Sequence, residues 1–393
     1  MALDPETLDQ LRDMIRRYVR ERLVPMEAQV AEEDAIPDEV VQEMRDLGLF
    51  GLTIPEEYGG IGLNMSEEVQ IAFELGYTSA AFRSLIGTNN GIGSQGIIID
   101  GTEEQKQKYL PRLASGELIA SFALTEPEAG SDAGSLKTTA RKDGDYYVLR
   151  GTKRFITNGP RAGLFTVFAR TDLSSTNAAG VSAFLVEAGT PGLSLGAIDK
   201  KMGQKGSYTC DVIFDDVRVH KDQIIGGVEG QGFKTAMKIL DRGRLHISAI
   251  CVGSAERIIH EALTYAIDRK QFGKPIAEQQ LVQAMLADSQ AEAYAARCMV
   301  EETARRRDAG QNVSQEAACA KMFASEMVGR VADRGVQIHG GAGYMQEYAV
   351  ERFYRDVRLF RIYEGTTQIQ QLVIARNMIK RNRPVATACP PSS

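Results

Sequence analysis

Apolar residues recur at three- and four-residue spacing near the start of the chain, at Leu8, Leu11, Ile15 and Val19. This predicts an amphipathic helix, with Asp4 and Pro5 as its cap and first turn. A second helix start is predicted at Thr102, which has Gln105 three residues on. Gly59-Gly60 and the stretch Gly91 through Gly93 read as turns. From about Leu118 the pattern shortens to β-branched and aromatic runs such as Tyr146-Tyr147-Val148-Leu149 and Leu164-Phe165-Thr166-Val167-Phe168. Val217 and Val219 alternate with Arg218 and His220, the mark of a strand with one buried face. No helix-length pattern interrupts this zone, so an antiparallel barrel or sandwich is expected.

Long helical patterns return from Gly232, with breaks near Phe272-Gly273-Lys274-Pro275, at Asp308-Ala309-Gly310 and at His339 through Gly343. Three or four long helices are predicted. Ala318, Met322, Met327 and Val331 make one of them more apolar than a solvated bundle face requires, which suggests burial against another subunit. The expected fold is therefore an α+β multidomain chain. It has an N-terminal α-helical domain over 1–117, a middle antiparallel β domain over 118–228, a C-terminal helical bundle over 229–382 and a loose tail over 383–393.

Composition narrows the function classes. The 393 residues are 43% hydrophobic and 25% charged, enough for two or three cores. A formal charge of −6 gives no basic field for a polyphosphate backbone, so nucleic acid is not the expected partner. The cysteines at 210, 251, 298, 319 and 389 form no CxxC pair or metal spacing, and HExxH is absent, so no metal is expected. No apolar run reaches membrane-spanning length, and the N-terminus lacks the pattern of a secretory or transit peptide, so the expected compartment is the cytoplasm, without membrane insertion.

Gly230-Gln231-Gly232 resembles a dinucleotide fingerprint, but Thr235 stands where the third glycine belongs and no parallel βαβ unit surrounds it. The four histidines, at 220, 246, 260 and 339, sit in no catalytic signature; His246 and His260 read as packing or surface residues. Five other segments carry chemistry together. Phe122-Ala123-Leu124-Thr125 runs through a loop to Gly130-Ser131-Asp132 and offers hydroxyls and backbone donors to a planar polar ligand. Arg154-Phe155-Ile156-Thr157 places an aromatic ring and a hydroxyl on one strand face. Asp268 through Lys274 contains Arg269, whose guanidinium can hold a pyrophosphate. Gln337-Ile338-His339-Gly340-Gly341 admits a ligand to the backbone, and Arg361 through Gln368 contains Glu364 before a helix with Ile369, Leu372 and Val373 on one stripe. Taken singly, each has a structural explanation: turn formers at Thr125 and Ser131, a helix C-terminal cation at Arg269, a loop carboxylate at Glu364, an N-cap at Thr366.

In order and spacing these segments resemble the acyl-CoA dehydrogenase family, and the resemblance runs from Asp4 to about Lys380. It implies FAD as cofactor, an acyl-CoA substrate, an electron-transfer flavoprotein as acceptor and a homotetramer in which a neighbouring subunit completes the FAD site. Carried over by residue, it places Phe122, Ala123, Leu124, Thr125, Phe155, Ile156 and Thr157 around the isoalloxazine, with the Thr157 hydroxyl at flavin N5. Arg269, Phe272, Gln280 and Gln337, Ile338, His339, Gly340, Gly341 would serve the pyrophosphate and adenosine; Thr366 and Gln368 match further FAD contacts. Ser131, Asp241, Arg244, Tyr363 and Gly365 match the acyl-CoA channel. Glu364 matches the base that removes the α-proton, and its apolar neighbours place it for desolvation. Its backbone N–H matches a donor to the thioester oxygen.

Some family members carry the base where this chain has Gly243, which leaves Glu364 without a competitor. Phe155 stands where many members have tryptophan, and Glu128 where glycine or asparagine is usual. Arg83, followed by Ser84, partly resembles the glutaryl-CoA dehydrogenase branch, where an arginine holds the distal carboxylate; Arg83 would then lie at the far end of the acyl pocket, and its structural alternative is pairing with Glu74. An acyl-CoA oxidase that uses O₂ is the nearest rival; a nucleic-acid-binding relative is disfavoured by net acidity.

Overall fold

The computed structural model describes residues 2–175 and 177–382; the tail expected at 383–393, with Cys389, lies outside the described residues. Seven helices open the chain: α1 (Pro5–Arg17), α2 (Val24–Glu33), α3 (Asp38–Asp46), α4 (Met65–Leu75), α5 (Ala80–Asn90), α6 (Gln95–Asp100) and α7 (Glu103–Ala114). Asp4 caps α1 by accepting from the Thr7 N–H at 3.0 Å, and Ile15 and Val19 are buried as their period requires. At Thr102 the cap is reciprocal, since its hydroxyl accepts from Gln105 N and the Gln105 side-chain Oε1 accepts from Thr102 N.

The β layer comprises β1 (Ala120–Ala123), β2 (Thr139–Asp143), β3 (Tyr146–Thr157), β4 (Leu164–Arg170), β5 (Val181–Glu187), β6 (Leu193–Leu195) and β7 (Thr209–His220). They form one seven-stranded sheet in the order β1-β4-β2-β3-β7-β6, with β5 paired to β4. The expectation of a wholly antiparallel domain needs one amendment: β1 runs parallel to β4, and β2 meets β4 in parallel at Thr139 and Arg170. The parallel pair arises because the β2–β3 hairpin acts as the long crossover that returns the chain to the end from which β1 started.

Long helices α8 (Gly232–Asp268), α9 (Gln280–Asp308) and α10 (Ser314–His339) follow, then α11 (Ala349–Val357) and α12 (Thr367–Asn382). The breaks fall where the glycine- and proline-containing stretches predict. Ala318, Met327 and Val331 are fully buried within this chain, so they need no second subunit to cover them. Exposed large apolar side chains lie elsewhere, at Phe272, Leu281 and Tyr344.

One buried ion pair joins β1's exit to β3. The Lys153 ammonium, fully buried, donates to Glu126 at 2.8 Å and to the Leu124 carbonyl at 3.1 Å, and burial pushes its pKa down to about 8. Removing one member leaves an uncompensated buried charge. Lys153→Met is expected to cost roughly 3–5 kcal/mol, read as a lowered thermal midpoint with loosening of the 124–126 loop.

Candidate active site

A cavity of about 740 Å³ opens where the helical layers meet the β layer. Its polar wall comes from β1 and β3. Phe122, Leu124 and Thr125 line it from the β1 exit, and Phe155, Ile156 and Thr157 from the end of β3. The two strand ends are tied by the Arg154 N–H donating to the Thr125 carbonyl at 2.8 Å and by the Ser121 hydroxyl donating to the Thr157 carbonyl at 2.7 Å. Phe155 sits at an irregularity in the β3–β7 register with φ of 59°, and 60% of its surface is exposed. A bulge spends backbone strain to re-aim a side chain, here an aromatic face beside the cavity. Neither the Thr125 nor the Thr157 hydroxyl has a protein partner among the described residues. Ala123 alternates to the opposite face and is buried in the β core.

The apolar wall comes from helices. Phe233, Met237 and Leu240 project from α8, and Ile369, Leu372 and Val373 from α12. Ser131, Arg244, Tyr363 and Gly365 also line the cavity. Asp241 does not; it pairs with Arg244 and reaches the Ser314 hydroxyl at 3.4 Å.

Glu364 reaches the cavity from the loop before α12, with φ of 53° in the left-handed region. That backbone is held from two sides. The fully buried Lys321 ammonium on α10 donates to the Gly365 carbonyl at 2.7 Å, and the Gln370 amide donates to the Glu364 and Gly365 carbonyls at 3.1 and 3.0 Å. The Glu364 N–H has no protein acceptor among the described residues. Its carboxylate is 10% exposed, and Oε2 is buried without a hydrogen-bond partner. A Cβ placed on Gly243 would come within 2.2 Å of that oxygen, so glycine at 243 is what lets the carboxylate face α8.

Arg83 and His246 complete this end of the cavity. Arg83 Nε donates to His246 Nε2 at 2.8 Å, and Nη2 lies 3.9 Å from Glu364 Oε1. Because a guanidinium only donates, His246 Nε2 must accept and Nδ1–H must donate to Glu68 Oε1, 2.8 Å away. Burial, followed by the Arg83 charge, holds the His246 pKa below its ordinary value; Arg242 pairs with the other oxygen of Glu68. Arg83 lines the cavity, as expected of a residue in the pocket, and stands beside Glu364. Glu74 is not its partner, being held by Arg16 and Arg20 at 2.8 and 2.9 Å. His246, read as packing or surface, lines the cavity. Its position three residues after Gly243, on the same helix face, was the signal available; Glu68, Lys321 and Gln370 carried none.

The remaining predicted residues lie apart from this cavity. Arg269, Phe272, Gln280, Gln337, Gly340 and Gly341 are exposed, with Phe272 at 95%. Ile338 and His339 are buried, and the His339 ring stacks on Tyr265 with centroids 4.3 Å apart and donates to the Gly335 carbonyl. These residues gather around the C-terminal end of α8, roughly 40 Å from Gly243 at the helix rise. Thr366 caps α12, its hydroxyl accepting from Ile369 N at 3.2 Å, and Gln368 is exposed.

Three family descriptions match the chain in succession: "Acyl-CoA dehydrogenase, N-terminal domain" over residues 5–117, the middle domain over 121–217 and the C-terminal domain over 230–379. The chain belongs to the acyl-CoA dehydrogenase family. It is 43% identical to the acryloyl-CoA reductase (NADH) of Anaerotignum propionicum, covering 95% of this chain and 94% of that protein. It is 42% identical to the caffeyl-CoA reductase-Etf complex subunit CarC of Acetobacterium woodii, covering 90% and 93%. The butyryl-CoA dehydrogenase structure from Megasphaera elsdenii superposes with a TM-score of 0.92 at 35% identity, covering 96% of this chain and all of that one. Acyl-CoA dehydrogenases are FAD-dependent oxidoreductases acting on CH–CH groups. The cavity suits the flavin ring: aromatic faces at Phe122 and Phe155 flank the two unpartnered hydroxyls.

A titration follows from His246. Its folded pKa is depressed below the 6.5 of an ordinary histidine, so the unfolded chain takes up the proton first and stability falls as pH drops below about 6.5. His246→Gln is expected to flatten that part of the profile of denaturation midpoint against pH between 6.5 and 5.

Proposed function

We propose that this protein oxidises the Cα–Cβ bond of an acyl-CoA thioester to the trans-2-enoyl-CoA, with Glu364 as the base. The observation that carries this reading is the Glu364 carboxylate, aimed into the cavity with one oxygen unpartnered and facing Gly243. Bound FAD supplies the hydride acceptor for Cβ. Glu364 takes the α-proton, and its free backbone N–H is available to the thioester oxygen as charge develops there. The carboxylate is only 10% exposed, which keeps most water from it.

On this reading Phe122, Leu124, Thr125, Phe155, Ile156 and Thr157 hold the flavin ring. Arg269, Phe272, Gln280 and the 337–341 turn hold the pyrophosphate and adenosine of a neighbouring subunit's FAD. The separation along α8 supports that division, because α8 lines the ring cavity near Gly243, roughly 40 Å from Arg269, which is too far for a ring and its own pyrophosphate. Exposed Phe272 and Leu281 fit a face covered by a second copy. An electron-transfer flavoprotein is the proposed acceptor, supported by the name of the Acetobacterium relative. Peroxide formation at the rate of turnover in air would favour an oxidase instead.

Glu364→Gln is expected to retain yellow FAD and bind acyl-CoA but to lose at least about 10²-fold in the rate of anaerobic flavin bleaching; bleaching at the wild-type rate would place the base elsewhere. Arg269→Ala should bleach normally when FAD is saturating but lose flavin on gel filtration. Full retention would remove Arg269 from the FAD site.

A further inference from the structure

We infer that Asn158 is a positioning residue for hydride transfer: its side-chain amide fixes helix α5, which walls the cavity beside Glu364, against the end of β3, which walls the flavin ring. The inference rests on the proposed dehydrogenation and adds the residue that sets the spacing between its two reacting partners.

Asn158 directly follows Thr157, whose unpartnered hydroxyl belongs to the cavity wall, and the two Cα atoms are about 3.8 Å apart. Its backbone turns left-handed, with φ of 60° and ψ of 7°, a conformation that asparagine tolerates better than most side chains. Asn158 itself is not among the residues lining the cavity; the turn carries its side chain onto α5 instead. There the amide nitrogen lies 3.0 Å from the Ser84 carbonyl, 3.1 Å from the Leu85 carbonyl and 2.8 Å from the Thr88 hydroxyl. Carbonyls only accept, so the group aimed at them is the NH₂, and its two hydrogens serve three acceptors. The residue is 3% exposed, which makes these bonds hard for water to replace. Ser84 and Thr88 line the cavity, as do Arg83 and Gly87 on the same helix. One buried side chain thus joins the strand of the ring wall to the helix beside the base.

The end of β3 is held from its other sides too. The Asn158 N–H donates to the Tyr208 carbonyl before β7 at 2.8 Å, and the Ser121 hydroxyl of β1 donates to the Thr157 carbonyl at 2.7 Å. A second asparagine ties α5 to the sheet: Asn89 Oδ1 accepts from the Ala120 N–H at 2.8 Å. That bond meets β1 at its first residue, whereas Leu124 and Thr125 line the cavity past its last. Asn158 makes the joint next to the cavity.

In the proposed reaction the α-proton passes to Glu364, while the β-hydride leaves Cβ with its electron pair for the flavin, and the Cα–Cβ double bond forms. The proton stays among the helical elements that carry Glu364. The hydride crosses from them to the strand wall, so the spacing of the two walls enters that transfer, where a misplacement of about 1 Å costs on the order of 10²-fold in rate. The Asn158 amide spans this seam.

Anaerobic flavin bleaching of the holoenzyme by butyryl-, hexanoyl- or octanoyl-CoA reports both transfers together. Exchange of the α-hydrogens of the matching 3-thia thioester in D₂O reports the proton step alone, because sulfur in place of Cβ carries no hydride. Asn158→Gly suits the left-handed backbone and removes the amide. It is expected to keep FAD absorbance and the exchange rate but to lose about 10²-fold in bleaching, with a larger β-deuterium isotope effect than the wild type. Bleaching at the wild-type rate overturns the inference, and so does an equal loss of bleaching and exchange, the mark of a loosened fold. If Asn158→Gly sheds FAD, Thr88→Val decides, since it removes the acceptor at 2.8 Å and leaves the strand intact. Bleaching that falls more than exchange then upholds the inference; equal changes, or none, overturn it. If the wild type is bleached by none of these thioesters, nor by branched or dicarboxylyl ones, the dehydrogenase reading itself is overturned.

Discussion

The placement of Glu364 depends on one buried lysine. Lys321 sits in the interior of α10 and spends its ammonium on the carbonyl of Gly365. Burial lowers its pKa, and the compensation is the negative end of a peptide dipole together with the nearby charges of Glu364 and Glu326. Lys321 grips the Gly365–Thr366 peptide, while Gln370, from the first turn of α12, holds that carbonyl and the Glu364 carbonyl, so the left-handed backbone at Glu364 is fixed from both sides. A loop carboxylate with three rotatable bonds would otherwise find water; held here, it has only the cavity to face. Gly243 on α8 completes the constraint by leaving open the volume that the carboxylate occupies.

The sequence makes the large features legible because each is written in a local period. Helices at Leu8 through Val19 and from Gly232 onward, and the half-buried strand at Val217 and Val219, follow from burial of one face, which acts on neighbouring residues. The parallel β1–β4 pairing was not legible, because it depends on where a hairpin returns the chain and not on any residue of β1. The polar network at Arg83 was hidden for the same reason. Glu68 follows Glu67 in the first turn of α4, where two acids look like a solvated helix start, and only the tertiary fold buries both, Glu68 against α8. The five chemical segments divide along the same line. Those ending at β1, β3 and the loop before α12 converge within the chain, while those near Arg269 and Gln337 converge on each other at the far end of α8.

That division follows from the length of α8. A continuous helix of 37 residues passes Gly243 near one end and reaches Arg269 just past the other, so its two chemical ends are kept apart by its own rigidity. On the proposed reading the only way to bring a ring-binding end and a pyrophosphate-binding end onto one FAD is to supply them from different copies. The exposed aromatic at Phe272 then changes meaning. It is a poor surface residue in an isolated chain, and its left-handed φ of 54° is held within the tight turn of the Lys270–Gln271 and Lys274–Pro275 hairpin, which presents the ring outward.

The neutral histidine sets the posture of Arg83. Along Arg242, Glu68, His246, Arg83 and Glu364 the charges run positive, negative, neutral, positive, negative. A carboxylate at position 246 would bind Arg83 as a full ion pair and leave no net charge for a ligand. An aliphatic side chain there would leave Nε without an acceptor and let the guanidinium turn fully onto Glu364, occupying the base. Histidine accepts one hydrogen bond and adds no charge, because burial keeps it unprotonated and Glu68 fixes which nitrogen carries the hydrogen. Arg83 is thereby oriented without being neutralised. Its Nη2 lies 3.9 Å from Glu364 Oε1, close enough to be attracted and too far to hydrogen-bond.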